Sequence, residues 1–173
     1  MNQNNQTLIL GLGNEVLGDE ALGLKIVDDL KHSYTSPGLE YAKAANGGIE
    51  ILDFINDYRE LVIIDTISTN SGRPGDIYYF TPDDYRETLH LSSEHDINFL
   101  TAIKTGETLG FKIPRNIDIL AVEITHNMQL GETFSHIIYN RYDEILDEIL
   151  NFIRKKVEPG TAHICASIRK KKK

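Results

Sequence analysis

The segment from Leu8 to Glu20 constrains the fold most, because it joins a short apolar strand to a glycine-rich turn and an acidic helix start. This order predicts an α/β protein with Glu20 at the carboxyl edge of a sheet, where open α/β sheets build their sites. A dinucleotide fold opens similarly but has a third glycine three residues further on. Here Val16 takes that position, and Asp19 and Glu20 would repel a pyrophosphate. The turn therefore favours a cation or a polar peptide.

The length and charge of the chain limit the classes of protein it can be. Its 173 residues suit a single domain with a sizeable core. A formal net charge of -8 argues against nucleic acid as a partner, since duplex binders carry a basic face. The single cysteine, Cys165, allows no intrachain disulfide, and no apolar run approaches the roughly 20 residues of a membrane span. We therefore expect a cytoplasmic protein that binds neither nucleic acid nor a membrane.

Apolar runs alternate with helical patterns along the chain, which predicts a three-layer α/β sandwich. Asp19 is the predicted N-cap of the first helix, because an aspartate is a favourable residue there. The other predicted elements are strands near residues 39–45, 61–64, 77–80 and 117–124, a short helix after 51, a helix after 93, and a long amphipathic helix over 134–153. We expect one domain over residues 1–160 and a basic, disordered tail over residues 161–173.

Three polar residues are candidates for a metal site. Glu20 begins the helix after the first strand, Asp65 directly follows the apolar run 61–64, and His95 lies at the start of a later helix. If the first and third strands are parallel neighbours, Glu20 and Asp65 share one crevice. Two carboxylates and one imidazole suit a borderline divalent metal. Taken singly, each residue also fits an ordinary structural role, and His126 is a further candidate with less support.

Several motifs resemble those of the hydrogenase maturation endopeptidases, which trim the C-terminal extension from the large-subunit precursor of nickel–iron hydrogenases. The opening motif is Gly-Leu-Gly-Asn followed by Gly-Asp-Glu-Ala-Leu-Gly, over residues 11–23. The similarity continues through Ile63-Ile64-Asp65, Gly75-Asp76-Ile77 and Glu94-His95-Asp96 to the last predicted strand and helix. It therefore covers nearly the whole expected domain.

The resemblance implies a fold and a set of site residues. The fold is an α/β sandwich with a mixed, mostly parallel sheet of about five strands between helices. The family's metal-contacting Glu, Asp and His fall on Glu20, Asp65 and His95, which would be both catalytic and metal-binding. The partner would be the hydrogenase precursor, which already contains the nickel. We therefore expect a monomer that holds no tightly bound metal of its own.

One segment departs from the family pattern, and the mechanism stays open. Many members have an Asp-Gly-Gly-Thr-like stretch where this chain has Asn46-Gly47-Gly48-Ile49, and Asn46 cannot serve as a carboxylate base. The nickel could polarise the scissile carbonyl or lower the pKa of a water, with Glu20 or Asp65 as base. Alternatively, the nickel only positions the peptide. Cys165 is a poor nucleophile candidate because it lies beyond the last predicted helix.

Two other functions remain as alternatives. A non-cleaving metal-sensing or chaperone module would bind the hydrogenase precursor without hydrolysis, which the Asn46 departure allows. A peptidyl-tRNA hydrolase also opens with a strand and Gly-Leu-Gly-Asn. That enzyme would need a suitably placed histidine and a basic face for tRNA, whereas this chain offers His32 and an acidic charge balance.

Overall fold

The computed structural model describes residues 6–45, 47–87, 94–125, 131 and 133–158, with the backbone alone for residues 85–87 and 94–98. The strands are β1 (Thr7–Leu12), β2 (Leu39–Ala44), β3 (Glu60–Ile67), β4 (Ile77–Phe80) and β5 (Asn116–Glu123). The helices are α1 (Leu22–Ser33), α2 (Ile51–Ile55), α3 (Pro82–Glu87), α4 (Glu94–Leu109) and α5 (His136–Val157). A short 3₁₀ turn, Gly18–Ala21, precedes α1.

The strands form one sheet in the order β2-β1-β3-β5-β4. β2, β1, β3 and β5 are parallel to their neighbours, and β4 runs antiparallel along the edge of β5. This arrangement confirms the predicted sandwich with its mixed, mostly parallel sheet. It also meets the condition set for the candidate site, because β1 and β3 are parallel neighbours. Their carboxyl ends therefore lie side by side.

Apolar side chains cover both faces of the sheet, and two helices pack against each face. On what we call the α4 face, β1, β3 and β5 pack against α2 and α4; its buried residues include Leu10, Leu52, Ile63, Phe99 and Ile119. On the opposite α1 face, the same strands pack against α1 and α5; its buried residues include Ile9, Ile26, Ile64, Leu120 and Ile149. Burial on both faces explains why the central strands read as continuous apolar runs.

The start of α1 packs directly on the last residue of β1 and on Ile64 within β3. A β-carbon built on Gly23 would lie 2.3 Å from the carbonyl oxygen of Leu12 and 2.5 Å from that of Ile64. Only a residue without a side chain permits this approach. The contact brings the turn that precedes α1 to the carboxyl edge that β1 and β3 share.

The structure differs from the sequence prediction at three elements. β3 does not end at Asp65, as predicted, because its ladder with β5 continues through Thr66 and Ile67 beyond the apolar run. α1 begins at Leu22 with Ala21 as its N-cap, so Asp19 does not cap this helix. The pattern also missed α3, a six-residue helix that begins at Pro82. Proline is favourable at the first position of a helix, which accounts for the start of α3.

Some predictions concern residues that lie outside the described part of the chain. These are the tail 161–173, Asn46, His126 and Cys165. Among the described helices, none is long and apolar enough to cross a membrane.

We predict that Gly23→Ala lowers the free energy of unfolding by about 3 kcal/mol, because the added methyl group overlaps two backbone oxygens that cannot move independently of the sheet. Gly131→Ala is the matched control, since a β-carbon at Gly131 meets no atom of the described residues within 4 Å. Urea denaturation of both variants measures the difference. Equal stability of the two variants would contradict the proposed packing.

Candidate functional site at the carboxyl edge of the sheet

Glu20 lies in the 3₁₀ turn after β1, where its side chain is half-buried. The turn folds back on the glycine-rich loop, and the Asn14 N–H donates to the Glu20 carbonyl at 3.2 Å. Gly13, with a φ of 154°, passes so close that a β-carbon there would lie 2.1 Å from the same carbonyl oxygen. From the described residues, the Glu20 carboxylate receives no hydrogen bond or ion pair. It is therefore available to a ligand.

The neighbouring carboxylate, Asp19, fixes this turn to α5. Its Oδ1 accepts a hydrogen bond from the Ser135 N–H at 2.7 Å. Ser135 is the N-cap of α5, and its Oγ accepts the Ile138 N–H at 3.4 Å. Asp19 is therefore not the helix cap that the sequence predicted; its carboxylate accepts instead from a residue 116 positions away. The anchor sets where the Glu20 backbone lies relative to the α1 face.

A second connection joins the loops that follow β1 and β5. The Gly131 N–H donates to the Val16 carbonyl at 3.1 Å, and the Gly18 N–H donates to the Gly131 carbonyl at 2.8 Å. The chain pairs here as an isolated parallel bridge between Leu17 and Gly131. Because β3 lies between β1 and β5, these bonds link the loops on either side of its end.

Asp65 is a half-buried residue within β3. Its Oδ1 accepts a hydrogen bond from the Thr66 N–H at 2.7 Å, and the residue pairs in register with Ala121 of β5. Alternation along β3 places Asp65 on the same face as Ile63, which is the α4 face. The Glu20 turn and Asp65 therefore meet at one edge of the sheet but approach it from different layers.

The backbone of His95 lies in the first turn of α4, as predicted, and its side chain lies outside the described residues. The end of α4 is at the amino edge, because the following loop bonds there: the Lys112 N–H donates to the Asn56 Oδ1, and the Arg115 N–H to the Arg59 carbonyl. The helix consequently runs antiparallel to β3, and its first turn points toward the carboxyl edge. Convergence of His95 with Glu20 and Asp65 stays a prediction.

The described side chains alone form no group of three or more His, Cys, Asp and Glu residues that could hold a metal ion. That set does not include His95. The chemistry of the predicted trio nevertheless suits a divalent metal, since carboxylate oxygens and imidazole nitrogen bind ions of intermediate softness. Three ligands would leave further coordination positions open to other groups.

Charged and phenolic groups border the site on the β4 side. Arg141 of α5 donates to the Asp76 carboxylate at 2.9 Å and to the Pro74 carbonyl at 2.8 Å. The hydrogen bond from Arg141 lowers the pKa of Asp76 below its ordinary value. Burial, reinforced by the nearby charge of Glu123, raises the pKa of Tyr78, so its phenol stays protonated. This side of the edge is held by fixed polar contacts.

The sequence analysis did not single out Glu123, a residue that is only 1% exposed at the end of β5. The missed signal is the alternation of the strand. Ile117, Ile119 and Ala121 point to the α4 face, so the next residue of that series, Glu123, also points inward. A carboxylate on an inward-facing strand position indicates a polar network rather than a solvated surface.

The comparisons with known proteins agree in one description. The family model described as HycI, hydrogenase maturation protease, matches residues 24–152. The chain is 36% identical over 69 residues to the Hydrogenase 2 maturation protease of Escherichia coli K12, a match to 39% of this chain and 42% of that protein. It is 20% identical over 152 residues to the hydrogenase expression/formation protein HupD of Rhodobacter capsulatus, a match to 86% of this chain and 71% of that protein.

Solved structures show the same fold. The chain is similar to the hydrogenase maturating endopeptidase HybD from Escherichia coli, with a TM-score of 0.72, 22% identity, and coverage of 87% of this chain and 93% of the other. It is also similar to a [NiFe] hydrogenase maturation protease HybD from Thermococcus kodakarensis, with a TM-score of 0.68, 21% identity, and coverage of 85% and 98%.

We predict that Asp19→Ala lowers the free energy of unfolding by about 1–3 kcal/mol, because it leaves the partly buried Ser135 N–H without an acceptor. Asp19→Asn retains an acceptor oxygen, so we expect it to lose less than half of that amount. Asp143→Ala, at an exposed position of α5, is the control and should stay within about 0.5 kcal/mol of the unmodified protein. Chemical denaturation measures the free energy of unfolding of the three variants. An equal loss in both Asp19 variants would show that the acceptor oxygen for the Ser135 N–H does not account for the stabilisation.

Proposed function

Since this chain belongs to the hydrogenase maturation protease family, we propose that it is an endopeptidase acting on a nickel–iron hydrogenase large-subunit precursor. It removes the C-terminal extension after nickel has been inserted. The precursor is both substrate and partner, and it brings the nickel to the site. The isolated protein then needs no tightly bound metal of its own.

One observation carries this proposal from the family to the residues of this chain. Gly23 packs on the carbonyl oxygens of Leu12, the last residue of β1, and of Ile64, the last β3 residue that pairs with β1. The 3₁₀ turn with Glu20 lies three residues before this contact and touches β3. Asp65 directly follows Ile64. Two half-buried carboxylates thus belong to segments that meet at one edge, which supports a shared cation site.

In the proposed mechanism, Glu20, Asp65 and His95 contact the nickel of the precursor and form the catalytic group. Their open coordination positions accept the precursor's own ligands. Two roles for the metal are compatible with this arrangement. The metal polarises the scissile carbonyl or a water while a carboxylate acts as base, or it only positions the peptide.

A non-cleaving metal-sensing or chaperone role for the precursor is the remaining alternative, and the observation in its favour is Asn46 in place of the family's Asp. Membership of the protease family sets aside the peptidyl-tRNA hydrolase interpretation. The monomeric state and the cytoplasmic location stay predictions. Intact mass of the precursor after incubation separates cleavage from binding alone.

We predict that the purified, metal-free protein cleaves a nickel-loaded precursor but not the same precursor without nickel. The physical reason is that two carboxylates and one imidazole lack the thiolates of tighter sites and hold nickel weakly by themselves. Loss of the C-terminal peptide is followed by intact mass for both precursor forms. Equal cleavage of the two forms would show that nickel is not the recognition element. No cleavage of either form, with stable binding of the loaded one, would favour the chaperone.

We predict that Glu20→Gln, Asp65→Asn and His95→Gln each reduce the processing rate at least about a hundredfold while the protein stays folded. Each change is nearly isosteric and removes one metal contact, and a hundredfold corresponds to about 3 kcal/mol of transition-state stabilisation. Glu107→Gln, at an exposed position near the end of α4, is the control for charge loss. Circular dichroism verifies folding, and a normal rate for the Asp65→Asn variant would remove Asp65 from the site.

A further inference from the structure

Glu123 is buried at the carboxyl edge of the sheet, and the proposed mechanism gives it no role. It is the one charged residue among those described that is almost fully buried, with 1% of its surface exposed. It is the last residue of β5 and pairs in register with Ile67 of β3. A buried carboxylate is costly unless it is hydrogen-bonded. Its partners therefore indicate what the residue does.

The Glu123 carboxylate is hydrogen-bonded by Thr69 and by the phenol of Tyr78. The Thr69 N–H donates to Oε1 at 2.7 Å, and the Thr69 hydroxyl lies 3.1 Å from Oε2. The same hydroxyl oxygen accepts the Gly72 N–H at 2.9 Å, which closes a turn from Thr69 to Gly72. A β-carbon on Gly72 would lie 2.1 Å from the Glu123 Cδ, so the turn packs directly on the carboxylate. We call this segment, residues 69–72, the Thr69 turn.

The Thr69 turn lies beside Asp65. The register pairs Asp65 with Ala121 and Ile67 with Glu123, and paired residues of neighbouring strands point to the same face. Asp65 and Glu123 therefore both belong to the α4 face. The Thr69 turn begins two residues after β3 ends, at the same carboxyl edge. At its tip, Asn70 and Ser71 are exposed and present an amide and a hydroxyl group to the solvent.

We propose that Glu123 is a positioning residue for peptide cleavage, which holds the Thr69 turn as a wall for an extended segment of the precursor beside Asp65. This inference rests on the proposed protease function. Asn70 and Ser71 offer hydrogen-bond donors and acceptors that suit the backbone of an extended peptide, whatever its side chains. Glu123 itself touches no substrate and acts only through the turn.

The rest of the loop has its own anchors, so the role of the Thr69 turn can be tested without unfolding the protein. The Gly75 N–H donates to the Glu123 carbonyl at 2.7 Å, and the Glu123 N–H donates to the Asp76 carbonyl at 2.8 Å. Arg141 holds Pro74 and Asp76 independently. Removal of the Thr69 hydroxyl leaves these contacts and the Thr69 N–H bond to Glu123 in place, and it loosens only residues 69–72.

The experiment compares three variants of the full chain. Thr69→Val removes the hydroxyl but keeps the shape and the N–H, Thr69→Ser restores the hydroxyl, and Thr108→Val removes an exposed hydroxyl from α4 as the control. Hydrogen exchange reports the protection of residues 69–72, and kcat and KM are measured with the nickel-loaded precursor. For Thr69→Val we expect exchange protection to be lost in this segment alone and KM to rise about tenfold with kcat within threefold, because the turn contacts substrate but not the reacting atoms. Thr69→Ser and Thr108→Val should behave as the unmodified protein.

Three results would overturn the inference, and each identifies a different failure. Unchanged exchange protection in Thr69→Val would show that the Thr69 hydroxyl does not hold the turn on Glu123. Lost protection with an unchanged KM would show that the turn does not contact the precursor. No cleavage by the unmodified protein would refute the proposed function itself, while the exchange data would still report whether the Glu123 contact exists.

Discussion

The contact of Gly23 with Leu12 of β1 and Ile64 of β3 is the constraint on which the geometry of this site depends. Backbone oxygens of two strands lie against one α-carbon of α1, and no side chain separates them. The distance between the sheet and α1 at this point is therefore set by backbone atoms, which are less deformable than packed side chains. Because the 3₁₀ turn precedes this contact by only a few residues, the position of the Glu20 backbone follows from it.

The site then draws on both layers of the sandwich. The Glu20 turn is held from the α1 face, through the bond between Asp19 and Ser135 and the pairing of Gly131 with Val16 and Gly18. Asp65 belongs to the α4 face, and α4 covers the same face. A ligand contacting both carboxylates would bridge the two faces at the end of β3. Either group can then be adjusted through its own layer without disturbing the other.

Much of this fold was predictable from local patterns, because burial on two faces gives continuous apolar runs and a long helix gives one apolar stripe. The stripe of α5 and the run 61–64 both predicted their elements correctly. The predictions were wrong where hydrogen bonds between distant parts of the chain determine the structure. Asp19 is a residue type that favours helix caps, but its carboxylate accepts a hydrogen bond from the Ser135 N–H. β3 continues past its apolar run because β5 pairs with it. Of the site, the adjacency of the Glu20 and Asp65 segments was predictable, whereas the Glu123 contact required the fold.

The two acidic groups on the α4 face, Asp65 and Glu123, have different roles in this account. Asp65 is proposed to contact a ligand, whereas Glu123 holds a turn in place. The Glu123 carboxylate accepts hydrogen bonds from the N–H and hydroxyl of Thr69 and interacts with the Tyr78 phenol, so its partners all lie in neighbouring parts of the fold. Glu20, on the other side, has no such partner among the described residues. A half-buried carboxylate without partners lowers the stability of the fold. Binding sites commonly have this cost, because the groups that bind a ligand are not paired within the protein. On the proposed function, nickel carried by the precursor is the partner that the Glu20 carboxylate lacks among the described residues.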